Sequence, residues 1–427
     1  MKKKIIVRAP ALTQSGYGEQ ARFALRALRT REDVFDIYLN PINWGKTGWI
    51  SNDDEERAWL DNLIRKAVQH EANQGQYDVS LQVTIPNEWG RMAPVNIGYT
   101  AGIETTRIST QWVEKSLEMD RIIVISDHAK YGFENTNYQA RNEKTGQIIP
   151  DFKCTTPVDV VNYAARTLIE SEKMDLNLDY DFNFLSVAQW SLRKNLENTI
   201  AWFLEEFKDD EVGLVLKVLY TSNCIMDKLK CQDNLKLLLS NFPDRKCKVY
   251  LLHGDLSEGE MVGMYKNPKI KGLINLAHGE GYGLPMFEAA QHALPVVAPS
   301  WGGQMDYLYA PVKDKKRKNK IRNKAHYASV DYVLQPVPKE AVWDGVLIQD
   351  SMWCYPNQGS YKSKLRDVYK NHGVYKKMAK TLQKHILNKF SEENQYKEFA
   401  DSCLKACGHI DNLEVDDFFN KMVAGQK

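Results

Sequence analysis

Short apolar runs rich in β-branched residues alternate along this chain with longer amphipathic stretches, a pattern that predicts strand–helix–strand crossovers around a buried parallel sheet. Strands are predicted at 4–7, 35–39, 79–83, 95–99 and 121–125, each leading into polar or glycine-bearing sequence. Between them, 19–28 and 53–68 carry apolar side chains at three- and four-residue spacing, as helices with one buried face do. A polar, acidic stretch at 170–181 reads as a linker, and a second series begins after it. Strands are predicted there at 182–187, 212–218, 249–252, 272–276 and 295–298, with helices at 195–207, 233–239, 257–265 and 284–292 between them. The fold class is therefore α/β, with two doubly wound domains and a ligand expected in the crevice between them. From 362 to 407 the chain reads as helical and Lys-rich, without a strand signal.

Composition narrows this without changing it. The 427 residues are 43% hydrophobic and 26% charged, which excludes a disordered chain, a collagen and a membrane bundle and leaves room for two cores. The net charge of +2 implies no polyanionic partner for the molecule as a whole, so any such signal has to be local. Seven cysteines without a C-x-x-C pair suggest neither a disulfide framework nor a zinc knuckle, and a reducing, cytoplasmic setting is expected. The basic start at 1–4 is followed by only three apolar residues, too few for a signal-peptide core, and no run approaches the ~20 needed to cross a bilayer.

The most informative segment runs from Asn275 through Gly279, Glu280, Gly281, Tyr282, Gly283 and Leu284 to Glu288. An apolar strand ends at its start, three alternating glycines let the backbone approach a ligand closely, and Pro285 marks the first turn of a helix. Free N–H groups leading into a helix N-terminus suit a phosphate. Glu280 in the loop and Glu288 one turn into the helix can then address neutral sugar hydroxyls beside that phosphate.

With its surroundings, HGEGYGLPMFEAAQHALPVVAP, this segment resembles the E-x7-E signature of retaining GT-B glycosyltransferases, particularly glycosyltransferase family 4. The resemblance implies that Glu280 lies against the donor sugar, that the amides of Gly281, Tyr282, Gly283 and Leu284 face the diphosphate, and that Glu288 holds the ribose. The segment 300–308 is similar to the stretch that succeeds the family's "PVI" strand. A second match, FLSVAQWSLRKNL at 184–196, places Lys194 where the family's phosphate-binding lysine stands, with Arg193 beside it. Gln189 departs from the family's arginine, leaving a neutral donor where a second cation is expected unless Arg193 supplies it. In the first domain, Gly16 and Gly18 open a helix after strand one, similar to the family loop that faces donor and acceptor. They also fit the dinucleotide fingerprint G-x-G-x-x-A, but the second predicted strand ends at Asn40 without the acidic residue a nicotinamide enzyme needs. Glu104 and His128 stand at predicted strand ends on the acceptor side, and His278 precedes the glycine loop.

The resemblance further implies two Rossmann-like domains facing across a cleft, at 1–175 and 176–385, with C-terminal helices at 386–427 packing back on the first. It implies a hexosyl or pentosyl transferase working with retention on a nucleotide-sugar, taken as a UDP-sugar. No separate cofactor and no metal are expected: Asp179 and Asp181 form a D-x-D pair, but one placed for linker and turn chemistry. Cys403 and Cys407, one helical turn apart, read as core.

The local charge signal is the run 313–324, where Lys313, Lys315, Lys316, Arg317, Lys318, Lys320, Arg322 and Lys324 face a single Asp314. So dense a run extends into solvent unless an anion neutralises it. A nucleic-acid acceptor is one reading, with a hydroxymethylated base in DNA as the nucleophile. Glycan or lipid-linked acceptors and a solvated insertion are others, as is a protein that binds nucleotide-sugars or polyanions without turnover. The sequence leaves the oligomeric state open.

Overall fold

The computed structural model describes residues 2–50, 53–141, 146, 148–313 and 321–408. The first domain comprises β1 (Lys3–Ala9), α1 (Gly16–Arg29), β2 (Phe35–Pro41), α2 (Glu55–Ala72), β3 (Val79–Val83), β4 (Val95–Thr100), α3 (Thr110–Ser116), β5 (Arg121–Val124), α4 (Asp127–Asn135), β6 (Asn137–Arg141), β7 (Ile148–Lys153) and β8 (Val158–Val160). Its sheet is parallel throughout, in the order β2-β1-β3-β4-β5-β8. Covered on both faces, its central β3 is buried at every position even though its sequence, Val-Ser-Leu-Gln-Val, alternates apolar and polar, because the polar side chains are satisfied inside: Ser80 Oγ donates to Asn96 Oδ1 and Gln82 Nε2 to Gly90 O.

The second domain continues with β9 (Asn183–Gln189), α5 (Leu196–Phe207), β10 (Gly213–Leu219), α6 (Ile225–Leu239), β11 (Lys248–Leu252), α7 (Glu258–Lys266), β12 (Ile270–Ile274), α8 (Leu284–Gln291), β13 (Val296–Pro299), β14 (Tyr309–Lys313), β15 (Ile321–Ala325), β16 (Ala328–Val330), β17 (Tyr332–Pro336) and β18 (Met352–Pro356). The described residues end with α9 (Gln358–Lys370), α10 (His372–Lys389) and α11 (Glu392–Ala406), and of the C-terminal helical region expected at 386–427 the part 409–427 lies outside the described residues. The second sheet is also parallel, in the order β11-β10-β9-β12-β13-β16. Its strand order reverses between β9 and β12, so the segments leaving these two strands border a crevice, the position where open α/β sheets bind ligands. Those are the segments carrying Lys194 and Glu280.

Both domains are Rossmann-like; α9 packs on α5 and α10 on α8 within the second domain, and α11 crosses back onto α1 of the first. Phe399 of α11 seats edge-on against Phe23 of α1 and tilts against Tyr99 of β4, at ring separations of 5.6 and 4.9 Å. The two chain crossings lie side by side, with Ala165 N–H donating to Phe390 O at 2.7 Å. Among the described residues no helix is long and apolar enough to cross a membrane.

Three antiparallel hairpins, β6–β7, β14–β15 and β17–β18, escape the sequence pattern: β6, β7, β15 and β17 are largely exposed and carry no burial period, while β18, which buries Trp353, Cys354 and Pro356, is only five residues long. Helix α6 begins at Ile225, eight residues before its predicted start at 233, since exposed Ile225, Met226 and Leu229 break the amphipathic signal. β12 runs two residues earlier than predicted, in register with β9. The basic run 313–324 is the flank of β14–β15, while its residues 314–320 lie outside the described residues.

The arm formed by β17, β18 and the loop between them reaches over to the first domain. Val346 is buried there with Trp89, Ile108 and Trp112, a contact contributing about 2 kcal/mol by the area it removes from water. Gly345 O accepts from Asn87 Nδ2 at 2.9 Å and Ser109 Oγ at 2.7 Å. Gly345 has φ +70°, and a Cβ there would lie 2.1 Å from Gln111 Oε1. Gly345→Ala is therefore expected to loosen the arm by about 1–2 kcal/mol from the backbone alone, read as faster proteolytic cleavage at 337–351 with the sheets still protected from hydrogen exchange.

Candidate active site

Two loops from strands adjacent at the sheet's switch point build the site. After β9 the chain makes one 3-10 turn through Arg193 and Lys194, then Asn195 adopts the left-handed conformation at φ 54° and α5 begins. Asparagine tolerates that conformation better than other non-glycine residues, which accounts physically for an Asn after the lysine. Asn195 Nδ2 donates to Leu276 O at 3.1 Å and His278 N–H to Arg193 O at 2.8 Å, so this turn is stitched to the loop after β12.

That loop closes through Gly283, at φ +85°, into α8. Gly281 lies so near the first domain that a Cβ would meet Ala101 O at 2.6 Å, and Ser126 Oγ donates to Gly281 O at 2.7 Å. Tyr307 OH donates to both Tyr282 O and Gly283 O at 2.9 Å. The carbonyls of the turn are thus held from behind. Among the described residues, none accepts a hydrogen bond from the N–H of Gly281, Tyr282, Gly283 or Leu284. The Tyr282 side chain itself turns into the core beside Tyr163 and Tyr307, leaving only its backbone for a ligand.

Glu280 is the centre of charge. Its Oε1 accepts from Lys194 Nζ at 2.6 Å and Asn275 Nδ2 at 2.9 Å, while Arg193 stands 3.4 Å from Oε2. Arg193 also pairs with Glu104 of the first domain at 3.2 Å and donates to Gly279 O at 2.6 Å. Burial pushes the Glu280 carboxyl up, but Lys194 and Arg193 outweigh it and bring it down to about 2. Burial pulls the Lys194 ammonium below its usual value, with Glu280 opposing and Arg193 adding to the pull. The asymmetry is physical, since one carboxylate serves two cations.

Glu288 has a different environment. It faces α7, accepting from Tyr265 OH at 2.7 Å. Burial raises its carboxyl to about 7, the Tyr265 bond opposes, Glu19 and Glu258 discourage ionisation, and Arg166 favours it.

The structure therefore gathers Glu280, Lys194, Arg193 and Glu104 into one cluster, next to the amides of 281–284. Gly16 and Gly18 open α1 at the first sheet's own switch point, where Ser15 Oγ accepts from Gly18 N–H at 2.9 Å and Gly16 borders open space. Gln189 stays outside the cluster; its exposed amide donates to Tyr220 O at 2.5 Å. His128 also stays outside, stacked edge-on against Trp301 at 4.8 Å, and burial lowers it to about 4 despite a bond with the Ile103 backbone. His278 is clasped by β18: its O accepts from Cys354 N–H at 2.8 Å, and its Nδ1 lies 2.7 Å from Cys354 O. Asp179 and Asp181 face Lys248 and Lys269, at 2.9 and 3.9 Å.

Asn275, Ser126, Tyr265 and Tyr307 were not marked by sequence reasoning. Asn275, Ser126 and Tyr307 carried a signal, since all three lie in segments that resemble the family's, whereas Tyr265 carried none. Asp227, Cys231 and His253 are the group among the described residues that could hold a cation. The Asp227 oxygens are already occupied by the N–H groups of Tyr220, Thr221 and Ser222 and by His253 Nε2, so the cluster serves to fasten two loops.

This architecture, two Rossmann-like domains with the crevice between β9 and β12, is the GT-B glycosyltransferase fold. Among solved structures, HepE from Anabaena with UDP and glucose is similar at TM-score 0.54 and 12% identity, over 94% of this chain and 100% of that one. A glycosyltransferase from Rickettsia africae matches at TM-score 0.56 and 12% identity over 95% and 99%. The sucrose-phosphate synthase of Thermosynechococcus elongatus matches at TM-score 0.56 and 10% identity over 100% of both chains. No protein-family profile and no curated protein matches the chain in sequence.

Proposed function

We propose that this protein is a retaining glycosyltransferase that moves a sugar from a nucleotide-sugar, a UDP-sugar, to a hydroxyl acceptor. The observation that carries the reading is the row of four undonated amides at 281–284 beside Lys194 and Arg193, whose counter-charges are the protein's own Glu280 and Glu104. Such a site is complete only when an anion lies against the amides. The fold shared with HepE, solved with UDP and glucose, supports the donor class.

In the proposed reaction the acceptor oxygen attacks the anomeric carbon from the face the diphosphate leaves. The carbon–oxygen bond to phosphate breaks as the new glycosidic bond forms, and the departing phosphate oxygen takes the acceptor's proton. Lys194 then pairs with the diphosphate in place of Glu280, opposing the charge that grows there. Glu280, released, accepts hydrogen bonds from the donor sugar, and Glu288 accepts from the ribose. UDP release from UDP-glucose or another UDP-sugar, with anomeric assignment of the product by NMR, tests this; inversion, or binding with no release under any acceptor, overturns it.

Glu288 gives the reading a pH signature. A carboxylate raised to about 7 from its ordinary 4.5 contributes stability fully present below 4.5 and lost as pH rises through 7, about 3 kcal/mol in all. The ionised form, with both oxygens free to accept, binds two ribose hydroxyls more strongly than the neutral acid, one of whose oxygens carries a proton. UDP affinity measured by calorimetry is therefore expected to climb as pH passes 7, and Glu288→Gln to flatten that climb while raising the melting temperature at pH 8 but not at pH 4.

The acceptor reading of a hydroxymethylated base in DNA rests on the basic run. Its described flanks, β14 and β15, expose Lys313, Arg322 and Lys324. Glycan and lipid-linked hydroxyls are the acceptors that the same UDP-release assay discriminates from it.

A further inference from the structure

A cavity of about 690 Å³ lies between the domains, inside the range of roughly 300–1,000 Å³ that small-molecule sites occupy. It shares no lining residue with the Lys194–Glu280 cluster, yet its wall is fastened to the same glycine turn. Gly302, which lines it, would place a Cβ 2.9 Å from Glu280 O, and Ser126, just before the lining Asp127, donates to Gly281 O at 2.7 Å. Tyr131 of α4, Trp301 and Tyr309 offer aromatic surface to it. His128 meets the Trp301 ring edge-on at 4.8 Å and Tyr327 meets Tyr309 at 5.8 Å, so two of the three faces are set before any ligand arrives.

The charges on this wall do not balance. Asp306 Oδ2 accepts from Asn162 Nδ2 at 2.8 Å and Asp127 N–H at 3.0 Å, whereas its Oδ1 meets no donor among the described residues. The Asp127 carboxylate meets none either, and among the described residues neither acid forms an ion pair. His128 and His385 line the cavity as neutral rings near pH 7, because burial lowers both, His128 to about 4. Lys389 is the one cation among the lining residues; it is exposed, and its ammonium stands over the Phe390 ring at 4.8 Å. Burial therefore prevails at Asp306: with the charge of Asp127 adding to it, and with the Asp127 N–H, Asn162 and Lys389 opposing, the carboxyl stands at about 6. Near pH 7 it is ionised without a close counter-ion.

Such a wall selects its ligand by charge. Unpaired carboxylates repel a phosphate or another carboxylate. A metal ion is not served, because among the described residues the acids and histidines of the wall do not bring three ligand atoms within 4.8 Å of one another. A neutral ring that merely stacks leaves the charge of Asp306 uncompensated. An ammonium group compensates it and is drawn to the faces of Trp and Tyr, while the flat carbon face of a sugar ring packs on the same surfaces. We propose that the cavity binds an amino sugar, with the protonated amine at Asp306 Oδ1 beside Asp127 and the ring against Trp301. That this sugar also supplies the acceptor hydroxyl rests on the transferase reading; the binding does not.

Saturation-transfer NMR titrations of the full chain at neutral pH with glucosamine, glucose, N-acetylglucosamine and ethanolamine test the proposal. Glucosamine is expected to bind about tenfold more tightly than each of the others, the scale of one hydrogen bond to a charged group. Asp306→Asn keeps an oxygen for Asn162 and the Asp127 N–H, and should bring glucosamine down to the level of glucose while leaving glucose itself unchanged. Asp127→Asn, at an exposed position, is the second variant should the first fail to fold. It is expected to weaken glucosamine about threefold and again to spare glucose. Binding of none of the four, equal binding of glucosamine and glucose, equal binding of ethanolamine, which has the amine without the ring, or a preference for glucosamine that neither variant reduces overturns the proposal. UDP release from UDP-sugars on the same preparation separates the two ideas: selective glucosamine binding with no release under any acceptor sinks the transferase reading alone, and release without selective binding sinks this one alone.

Discussion

Glu280→Gln is expected to abolish sugar transfer while making the protein bind diphosphate more tightly. In the free protein Glu280 is the partner of Lys194 at 2.6 Å and stands 3.4 Å from Arg193, so it competes for the cations that a donor diphosphate needs. Replacing it with a neutral amide leaves Lys194 with no charged partner and Arg193 with Glu104 only. Breaking a buried pair from one side costs about 3–5 kcal/mol, and the unliganded variant should melt roughly 5–10 °C lower. Inorganic pyrophosphate or UDP should then recover most of that loss, a larger thermal shift than the unaltered protein shows. A variant that melts lower and gains no extra stabilisation from pyrophosphate would place Glu280 in a purely structural role.

Lys194→Ala should lower kcat/KM for transfer by about 10²–10³, the scale for removing one preorganised donor to developing negative charge. Its second effect is on Glu280. The carboxyl sits at about 2 because the cations outweigh burial, so its ionisation contributes stability present above its unfolded value of about 4.5 and lost as pH falls towards 2. That window corresponds to about 3 kcal/mol. With Lys194 gone, burial prevails and the carboxyl rises, so the difference in stability between unaltered protein and variant should be widest near pH 7 and close as pH drops below 4. Equal acid unfolding profiles, with activity lost, would show that Lys194 touches the donor without holding Glu280.

The periodicity of the chain made both sheets legible because their strands are buried on two faces and their helices on one. The E-x7-E spacing likewise pointed to Glu280, to Glu288 and to an undonated row of amides. The pairing of Glu280 with Lys194 was not legible. It depends on β9 and β12 being neighbours, a property of strand order that no local pattern encodes, so the lysine was assigned to phosphate and its resting partner was missed. The same holds for Tyr265 and Glu288, on α7 and α8. Gln189 could be noticed as a departure, but its turn towards Tyr220 depends on where β10 ends. The arm 332–356 left no trace in the pattern because its strands are only five residues long, β17 largely exposed and β18 largely buried, while Val346, its buried anchor, stands in the three-residue apolar run 346–348, too short to show a period.

That arm has a mechanical consequence. One end of it grips His278 through the backbone of Cys354, next to Glu280, and the other sits in the first domain through Val346. The two crossings meet where Ala165 bridges Ser391, and the arm is a further connection between the domains. Swinging the halves apart draws a valine from its apolar seat and tugs on the glycine turn in the same motion. Any separation of the two halves would therefore strain the backbone next to the Lys194–Glu280 pair, at a cost set by how tightly Val346 is seated.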